Sequence, residues 1–560
     1  MAGHDPAFEA MMAIRAKHNH RAMLYFAVIL FIQALSTCIF VFAPRWLRIH
    51  KHRPTLPRFC AATTRKHVPC LPSVGHMLHV AVYTIANVVL TFAPIDYTNM
   101  TTLSNIASRT GWLAMANVAV FVLFSMKINL FYFVGGFTYN RLNILHQLAG
   151  YMTIAHVIVH AASYSAYFVS DHRPERLLYK AEVYGMITGI CFLSLGISGA
   201  YIRRWWYELF YYLHIAFWII GVVTLGLHQP ETGKGIIFIT ITCASLWVLD
   251  RLTRFLRLVV CSVSNEATLT PLTNGGTRVT LKKAPHGAEA GQHCFLWIPA
   301  VRRFEMHPFT IANVDSAEFV IASYNGFTKD LHEYAVSHPR AVVRASAEGP
   351  YASPRTPGSI DKLILIAGGS GGSFAFGRGK THGFAPGPRS VKEIELIWIV
   401  RHHSQLNWFA REIADLAGQE RVKIHLFVTR GPGVSPRGID SLALSTTVSS
   451  QDGATDRAFA DEDCKSTASS ARSVDSEKED LSTATDERDV PQIYGVSVTF
   501  GRPDVAGMLR SSIEDLGSDE AVTVMACGPG GLLRAVRDTT SSCTKPDGPS
   551  VSVHCEHFGW

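Results

Sequence analysis

Charge is scarce in this sequence: only 17% of its 560 residues are Asp, Glu, Lys or Arg, while 48% are hydrophobic. Soluble domains carry about a quarter charged residues, which argues against an ordinary cytosolic enzyme. The formal net charge of +8 does not point to nucleic acid, because no basic face or tail is present to track phosphates. Lys and Arg sit instead in short clusters beside apolar runs, as they do in membrane proteins. The eleven cysteines show no repeated spacing, and Cys38, Cys191, Cys243 and Cys294 lie in apolar surroundings, so a disulfide scaffold is excluded. Polar and basic residues up to His20 precede the first apolar run and no small-residue cleavage site follows it, so no signal peptide is expected. An EF-hand calcium loop is also lacking.

What the first half does have is apolar runs of membrane-spanning length. They are read at 24–43, 76–94, 111–126, 146–169, 183–201, 207–228 and 235–250. Basic residues crowd alternate connections: Arg45 to Lys66, then Lys127 and Arg141, then Arg203 and Arg204, then Arg251, Arg254 and Arg257. Positive-inside logic places these four clusters on the cytoplasmic side. The expected topology is an extracellular stretch 1–23, a seven-span membrane domain over 24–257 and a large cytoplasmic remainder. The sequon Asn99-Met100-Thr101 then falls outside, a glycosylation site.

After residue 258 the character changes. Thr277–Lys283, Gln292–Pro299 and His307–Ala312 read as strands of an antiparallel unit over 258–357. From 358 to 560, strands alternate with helical stretches, at Lys362–Ala367, Glu393–Val400, Val422–Thr429, Val496–Phe500 and Ala521–Cys527, which predicts a parallel α/β domain. Residues 441–490 interrupt it with ten Ser, six Thr and twelve acidic residues, a composition that cannot bury a core and is expected to be a disordered insertion.

Four histidines in the membrane half carry chemistry. His146 and His160 are 14 apart, and so are His214 and His228. Fourteen residues come within about 40° of whole helical turns and span roughly 21 Å, so each pair lies on one stripe at two depths. Both helices run in the same direction, which sets His146 level with His214 near the cytoplasmic face and His160 level with His228 near the outer face. Two pairs at two depths form a ligand set for two bis-histidyl haems, because imidazole is a good axial ligand and ionisable groups within spans are costly. His156 competes with His160 but does not repeat the spacing. A zinc site of His76 with His79, or Cys60 with Cys70, lacks a full ligand set.

In the second half, Leu365 to Ser373 form a strand running into the Gly-rich turn Gly368-Gly369-Ser370-Gly371, where backbone N–H groups can meet a pyrophosphate. The residues that follow, through Gly377, Gly379, Gly383, Pro386, Gly387 and Pro388, cannot form an apolar helix and predict a loop over 374–390, or the loss of a segment. Arg401 and Arg430 stand at strand ends, placed to meet an adenosine 2′-phosphate and so favour NADPH.

His307-Pro308-Phe309-Thr310, taken with the four histidines, resembles the flavin motif of the ferric reductase and NADPH oxidase superfamily. The resemblance runs from about residue 75 to Trp560, excluding the acidic insertion. It implies a helical haem-bearing membrane bundle, then a ferredoxin-reductase-like FAD β-barrel, then an NADPH-binding α/β domain. It implies that His307, Pro308, Phe309 and Thr310 contact FAD and that Glu348-Gly349-Pro350-Tyr351 closes the barrel, Ala352 departing from the family's glycine. It also implies that Gly368, Gly369, Ser370 and Gly371 hold the nucleotide, and that Cys527-Gly528-Pro529 lines the nicotinamide site. Trp560, ending His557-Phe558-Gly559-Trp560, would cover the flavin face and act with Cys527 in catalysis. Gln147 and Tyr151 stand where members often carry basic residues.

The cofactors implied are two b haems, FAD and NADPH. The implied activity is reduction of ferric chelates, and of Cu(II), outside the plasma membrane, with an iron permease or multicopper oxidase as partner. Two alternatives stand beside it: an NADPH oxidase making superoxide, and a haem-binding membrane scaffold whose nucleotide domain has decayed around residues 374–390.

Overall fold

The computed structural model describes residues 6–49, 74–93, 95, 100–127, 139–228, 234–351, 360–383, 391–430, 491–545 and 548–556. Among the described residues, the first half holds seven long helices: α1 Pro6–Ile49, α2 Val74–Phe92, α3 Thr102–Ser125, α4 Tyr139–Ser170, α5 Lys180–Ile197, α6 Tyr207–Leu227 and α7 Lys234–Ser262. Among the described residues, six segments, in α2 to α7, are long and apolar enough to cross a membrane, α5 continuing through a π-helical turn to Trp205. The expected span 24–43 falls inside α1, but side chains from 37 onward lie outside the described residues, as does Asn99 of the sequon.

Two expected runs were drawn too short. The run at 111–126 is part of a helix that begins at Thr102, where Thr101 Oγ1 accepts the Ser104 N–H at 3.3 Å. The run at 235–250 continues to Ser262. Polar side chains ended both readings prematurely, and the fold satisfies them. Arg109 on α3 donates from Nε to Asn19 Oδ1 of α1 at 2.7 Å and from Nη1 to the Leu90 carbonyl of α2 at 2.8 Å. Asn117 donates to Asn87 Oδ1 at 2.7 Å, tying α3 to α2. An unpaired polar group in an apolar interior is costly, so these bonds let α3 occupy the centre, with 67% of its apolar window buried against 22–33% for the others.

The antiparallel unit has seven strands: β1 Glu266–Leu272, β2 Gly276–Leu281, β3 His293–Trp297, β4 His307–Asn313, β5 Glu318–Ala322, β6 Val342–Arg344 and β7 Ser346–Tyr351, with helix α8 Phe327–Ser337. Their order is β6-β1-β2-β5-β4-β3-β7. The two edge strands, β6 and β7, are separated in sequence only by Ala345, so the sheet must curl round on itself. The β1–β2 connection places Asn274 and Gly275 at positive φ, the hairpin signal that identifies β1.

The second sheet is ordered β11-β12-β10-β9-β8-β13-β14. Its strands are β8 Lys362–Gly368, β9 Glu393–Val400, β10 Val422–Val428, β11 Gln492–Ile493, β12 Val496–Phe500, β13 Ala521–Cys527 and β14 Ser550–Glu556. All pair in parallel except β11. Helices α9 Gly372–Gly383, α10 Ala410–Ala417, α11 Val505–Glu514 and α12 Gly530–Ser542 complete the domain. β8 and β13 read as apolar runs because they are covered on both faces.

The loop expected at 374–390 is corrected. Residues 372–383 form α9, whose start follows the Gly-rich turn directly, and 384–390 lie outside the described residues. Propensity failed here because packing overrides it. A Cβ at Gly377 would lie 3.0 Å from both Ala290 Cβ and the Ala312 carbonyl oxygen, and one at Gly379 or Gly383 would press on Leu416 at 3.2 or 3.1 Å. The glycines allow α9 to fit between barrel and sheet, and Phe374, Phe376, Trp398 and Phe409 bury against one another there. The decayed-domain alternative loses its motive. The acidic insertion 441–490 lies outside the described residues.

Candidate functional site

Three groups of residues carry the chemistry. The first is the pair of histidine pairs on α4 and α6. The ring centres of His146 and His214 are 6.4 Å apart, and those of His160 and His228 are 6.2 Å apart. Two imidazoles bound through Nε2 to one metal at about 2 Å each have ring centres roughly 6 Å apart, so both pairs fit a single iron between them.

The other ring nitrogens are already engaged. His146 Nδ1 meets the Phe121 carbonyl at 2.9 Å, His160 Nδ1 the Ala107 carbonyl at 2.7 Å and His228 Nδ1 the Ala181 carbonyl at 2.7 Å. His214 Nδ1 lies 3.4 Å from Ser198 Oγ and also bonds the Leu195 backbone. A carbonyl at Nδ1 requires Nδ1–H, which leaves Nε2 as the lone-pair donor facing the partner ring. These acceptors were missed in the sequence, yet they repeat its spacing: Ala107 and Phe121 on α3 are 14 apart, as are Ala181 and Leu195 on α5. His156, the competitor, is not brought to His228; its Nε2 is buried without a hydrogen-bond partner. His79 is satisfied by Gln33 at 2.8 Å.

The second group lies between membrane bundle and barrel. A cavity of 250 Å³ is lined by both His146 and His214, by Arg203, Arg251 and Arg254, and by Glu305, Met306 and His307. Burial, with Arg254 and Arg251 beside it, holds the Lys127 ammonium well below its ordinary range. Glu348 is fully buried and accepts Nε and Nη2 of Arg254, both at 3.1 Å, along with the Tyr351 hydroxyl. That ion pair fixes the end of α7 to β7.

Of the flavin motif, β4 places His307 opposite Leu296, Pro308 opposite Phe295, Phe309 opposite Cys294 and Thr310 opposite His293. The His307 ring stacks on Phe327 at 4.5 Å, with Nε2 3.0 Å from Glu305 Oε2. Glu208 of α6 joins Glu305 and His307 within 4.8 Å, a cluster that sequence reasoning missed because its members are a hundred residues apart. Gly349 and Pro350 precede Tyr351 on β7, which flanks β3; the Tyr351 ring lies 5.8 Å from those of both His293 and Phe295. Burial and the Lys127 charge push His293 down to about 4.

The third group sits where the strand order reverses, between β8 and β13, the place where open parallel sheets bind ligands. Gly368 to Gly371 follow β8, and Gly528 and Pro529 follow Cys527 at the end of β13. Cys527 pairs with Ala367. The approach is close: a Cβ on Gly371 would lie 2.4 Å from the Cys527 carbonyl oxygen, and one on Gly368 would lie 2.8 Å from Pro529. Gly369 takes φ +56°, and Ser370 lies in the same turn. Burial pushes the Cys527 thiol up, so it stays protonated at neutral pH. Arg430 N–H donates to the Arg401 carbonyl at 2.9 Å, placing the two arginines together at the ends of β9 and β10 with exposed side chains. β14 ends at Glu556 beside Cys527, and Trp560 lies outside the described residues.

Comparison with known proteins matches three family models to the chain. They are described as "Ferric reductase like transmembrane component" over residues 110–225, "FAD-binding domain" over 263–355 and "Ferric reductase NAD binding domain" over 360–541. Among similar proteins, the "Ferric reductase transmembrane component 4" of Saccharomyces cerevisiae is 26% identical over 447 residues, covering 78% of this chain and 60% of that protein. The "Ferric/cupric reductase transmembrane component 2" of the same yeast is 26% identical over 457 residues, covering 78% of this chain and 58% of that one. The chain thus spans about 60% of the length of these relatives. A solved "Ferredoxin reductase in carbazole 1,9a-dioxygenase" matches 53% of this chain and 70% of its own, at 16% identity and a TM-score of 0.30.

Proposed function

Since the chain belongs to the ferric reductase family, we propose that it is an NADPH-dependent ferric-chelate reductase moving electrons from the cytosol to ferric iron, or Cu(II), outside the plasma membrane. The observation that carries this reading is the pair of histidine pairs at ring separations of 6.4 and 6.2 Å, the first sharing its cavity with His307 of the flavin motif. When bound, FAD accepts a two-electron hydride and releases single electrons, and the b haems carry those one at a time, so one NADPH reduces two ferric ions.

The protein's part is to bind and orient. His146 with His214, and His160 with His228, would hold the two irons, their tautomers set by the helix carbonyls at Nδ1. His307, Pro308, Phe309 and Thr310, with Gly349, Pro350 and Tyr351, would hold FAD. The Gly368–Gly371 turn and the start of α9 would take the NADPH pyrophosphate, with Arg401 and Arg430 at its 2′-phosphate. Gly528 and Pro529 would line the nicotinamide with Cys527, whose protonated thiol serves as a neutral wall. Trp560 would cover the flavin. An iron permease or multicopper oxidase would take up the Fe(II) released.

The deciding experiment is a pyridine-haemochrome and flavin assay on the purified protein, followed by NADPH oxidation with and without ferric citrate. Two haems and one FAD per chain, with oxidation dependent on ferric citrate, are expected. Superoxide formation without ferric citrate would transfer the protein to the oxidases, and absence of haem would overturn the reading.

A further inference from the structure

The two outer ligands are held in a way the inner ones are not. His160 Nδ1 reaches the Ala107 carbonyl of α3, and a Cβ built on Gly111 would lie 2.8 Å from that same Nδ1 and 2.9 Å from Cε1. His228 Nδ1 reaches the Ala181 carbonyl of α5, and a Cβ on Gly185 would lie 2.6 Å from both Nδ1 and Cε1. In each case the glycine stands four residues after the carbonyl. Every Cα–Cβ bond in a helix tilts toward the N-terminus, so the side chain at i+4 lies over the carbonyl at i. At these two positions a methyl at i+4 would occupy the space the docked imidazole fills.

We infer that Gly111 and Gly185 are positioning residues: they open the Ala107 and Ala181 carbonyls to His160 and His228 and so set the ring planes of the outer pair. This rests on the reading that these histidines bind haem. Nothing comparable is needed at the inner level. Phe121 is followed four residues on by Ser125, which carries a Cβ, and Leu195 by Gly199, whose Cβ would meet Phe210 at 3.9 Å and no histidine. Glycine in mid-helix is less favourable than alanine. Its use at both outer positions therefore has a steric reason and runs against propensity.

The device is also doubled. α3 and α5 are different helices, 74 positions apart, yet each presents carbonyl, glycine and imidazole in the same relation. One occurrence could follow from close helix packing alone. Two, on the two ligands of one site, tie the feature to the imidazoles.

The test uses the full-length protein in isolated membranes, with Gly111→Ala, Gly185→Ala and the controls Gly150→Ala and Gly226→Ala, whose new methyls meet nothing within 4 Å on the ligand-bearing helices α4 and α6. Protein is quantified by a tag, haem by pyridine haemochrome, and each haem by low-temperature EPR and a redox titration. Loss of a carbonyl bond to a ligand typically weakens metal affinity about 10- to 100-fold. Gly185→Ala, the tighter site, is expected to lose half of the haem. Gly111→Ala is expected to shift the EPR signal and potential of one haem, leaving the other unchanged. The controls should match wild type.

Wild-type haem content, EPR and potentials in both variants would overturn the inference while leaving haem binding itself intact. Disappearance of the protein in both variants, with normal controls, would overturn it too, because the glycines would then serve helix packing. A wild-type protein without haem would instead remove the premise.

Discussion

His160 and His228 each dock on a helix carbonyl at 2.7 Å in the bundle interior, while His146 reaches its carbonyl at 2.9 Å and His214 stands 3.4 Å from a serine hydroxyl. The inner pair also borders a 250 Å³ cavity carrying three arginines and opening on the barrel. The outer pair is held by acceptors on α3 and α5, while the inner pair lies at a junction where the membrane bundle meets a domain of different architecture. The same spacing of 14 residues thus produces two sites of different character, because the helix repeat fixes depth but not surroundings. The inner level, which shares its cavity with His307, is the one built with charge and space.

The comparison is broken most severely by removing a ligand. His160→Ala or His228→Ala should eliminate one low-spin haem signal and all reduction of external ferric citrate, leaving the inner haem reducible by NADPH. His146→Ala or His214→Ala should lose the other signal and block entry of electrons from the flavin. EPR with stopped-flow spectroscopy separates the two cases. A His160→Ala protein that keeps both haems would sink the pairing and point to His156.

A smaller but still large effect is expected at the junction. Arg254→Ala leaves the buried Glu348 carboxylate without its cation, a change that typically costs about 3–5 kcal/mol. Thermal unfolding followed by flavin fluorescence should show the barrel releasing FAD several degrees earlier, with the outer haem spectrum untouched. An unchanged melting curve would mean that α7 and β7 are not coupled through this pair.

The half that follows α7 should also be the acid-sensitive one. Burial and the Lys127 charge push His293 down to about 4, and burial with Arg378 does the same to His382. Between pH 6.5 and 4 the unfolded chain binds protons at these positions and the folded one does not, so stability falls as pH is lowered across that window. Each group contributes up to about 3 kcal/mol of this loss. His293→Gln should flatten the dependence of the unfolding temperature on pH in this range; a curve parallel to wild type would reject the assignment.

The smallest effect is expected from deleting residues 441–490. β10 and β12 pair directly, Leu426 opposite Val498 and Val428 opposite Phe500, so the sheet is completed on either side of the segment. A stretch so poor in apolar residues contributes little buried area, and ferric citrate reduction should stay within about twofold. Loss of nucleotide binding on deletion would show that the segment belongs to the sheet domain.

The long elements were legible in the sequence wherever burial imposes a simple period. β9 and β13 have the ends that their apolar runs predict, because a parallel strand covered on both faces is apolar throughout. The barrel's β1, β5 and β6 were not read: β1 and β6 are half-buried and carry mixed residues, and β5 is only five residues long. Beyond that, Asn274-Gly275 was the cue that went unused. In the bundle, Arg109 lies just before the run read as the third span, and only its partners on α1 and α2 explain why the helix extends through it.

By itself, the sequence determined what depends on local periodicity: apolar runs long enough to span a bilayer, two histidine pairs at one helical spacing, and a parallel sheet with a Gly-rich turn after its first strand. The tertiary structure decided what depends on partners distant in the chain. It supplied Ala107, Phe121, Ala181 and Leu195 as acceptors, and joined Glu208 to Glu305 and His307. It also made a helix of residues 372–383, where propensity predicts a loop. Helical and strand periods arise from backbone geometry and recur wherever one face is buried. A carbonyl's second lone pair, or the space beside a glycine, acquires a role only when another element is packed against it.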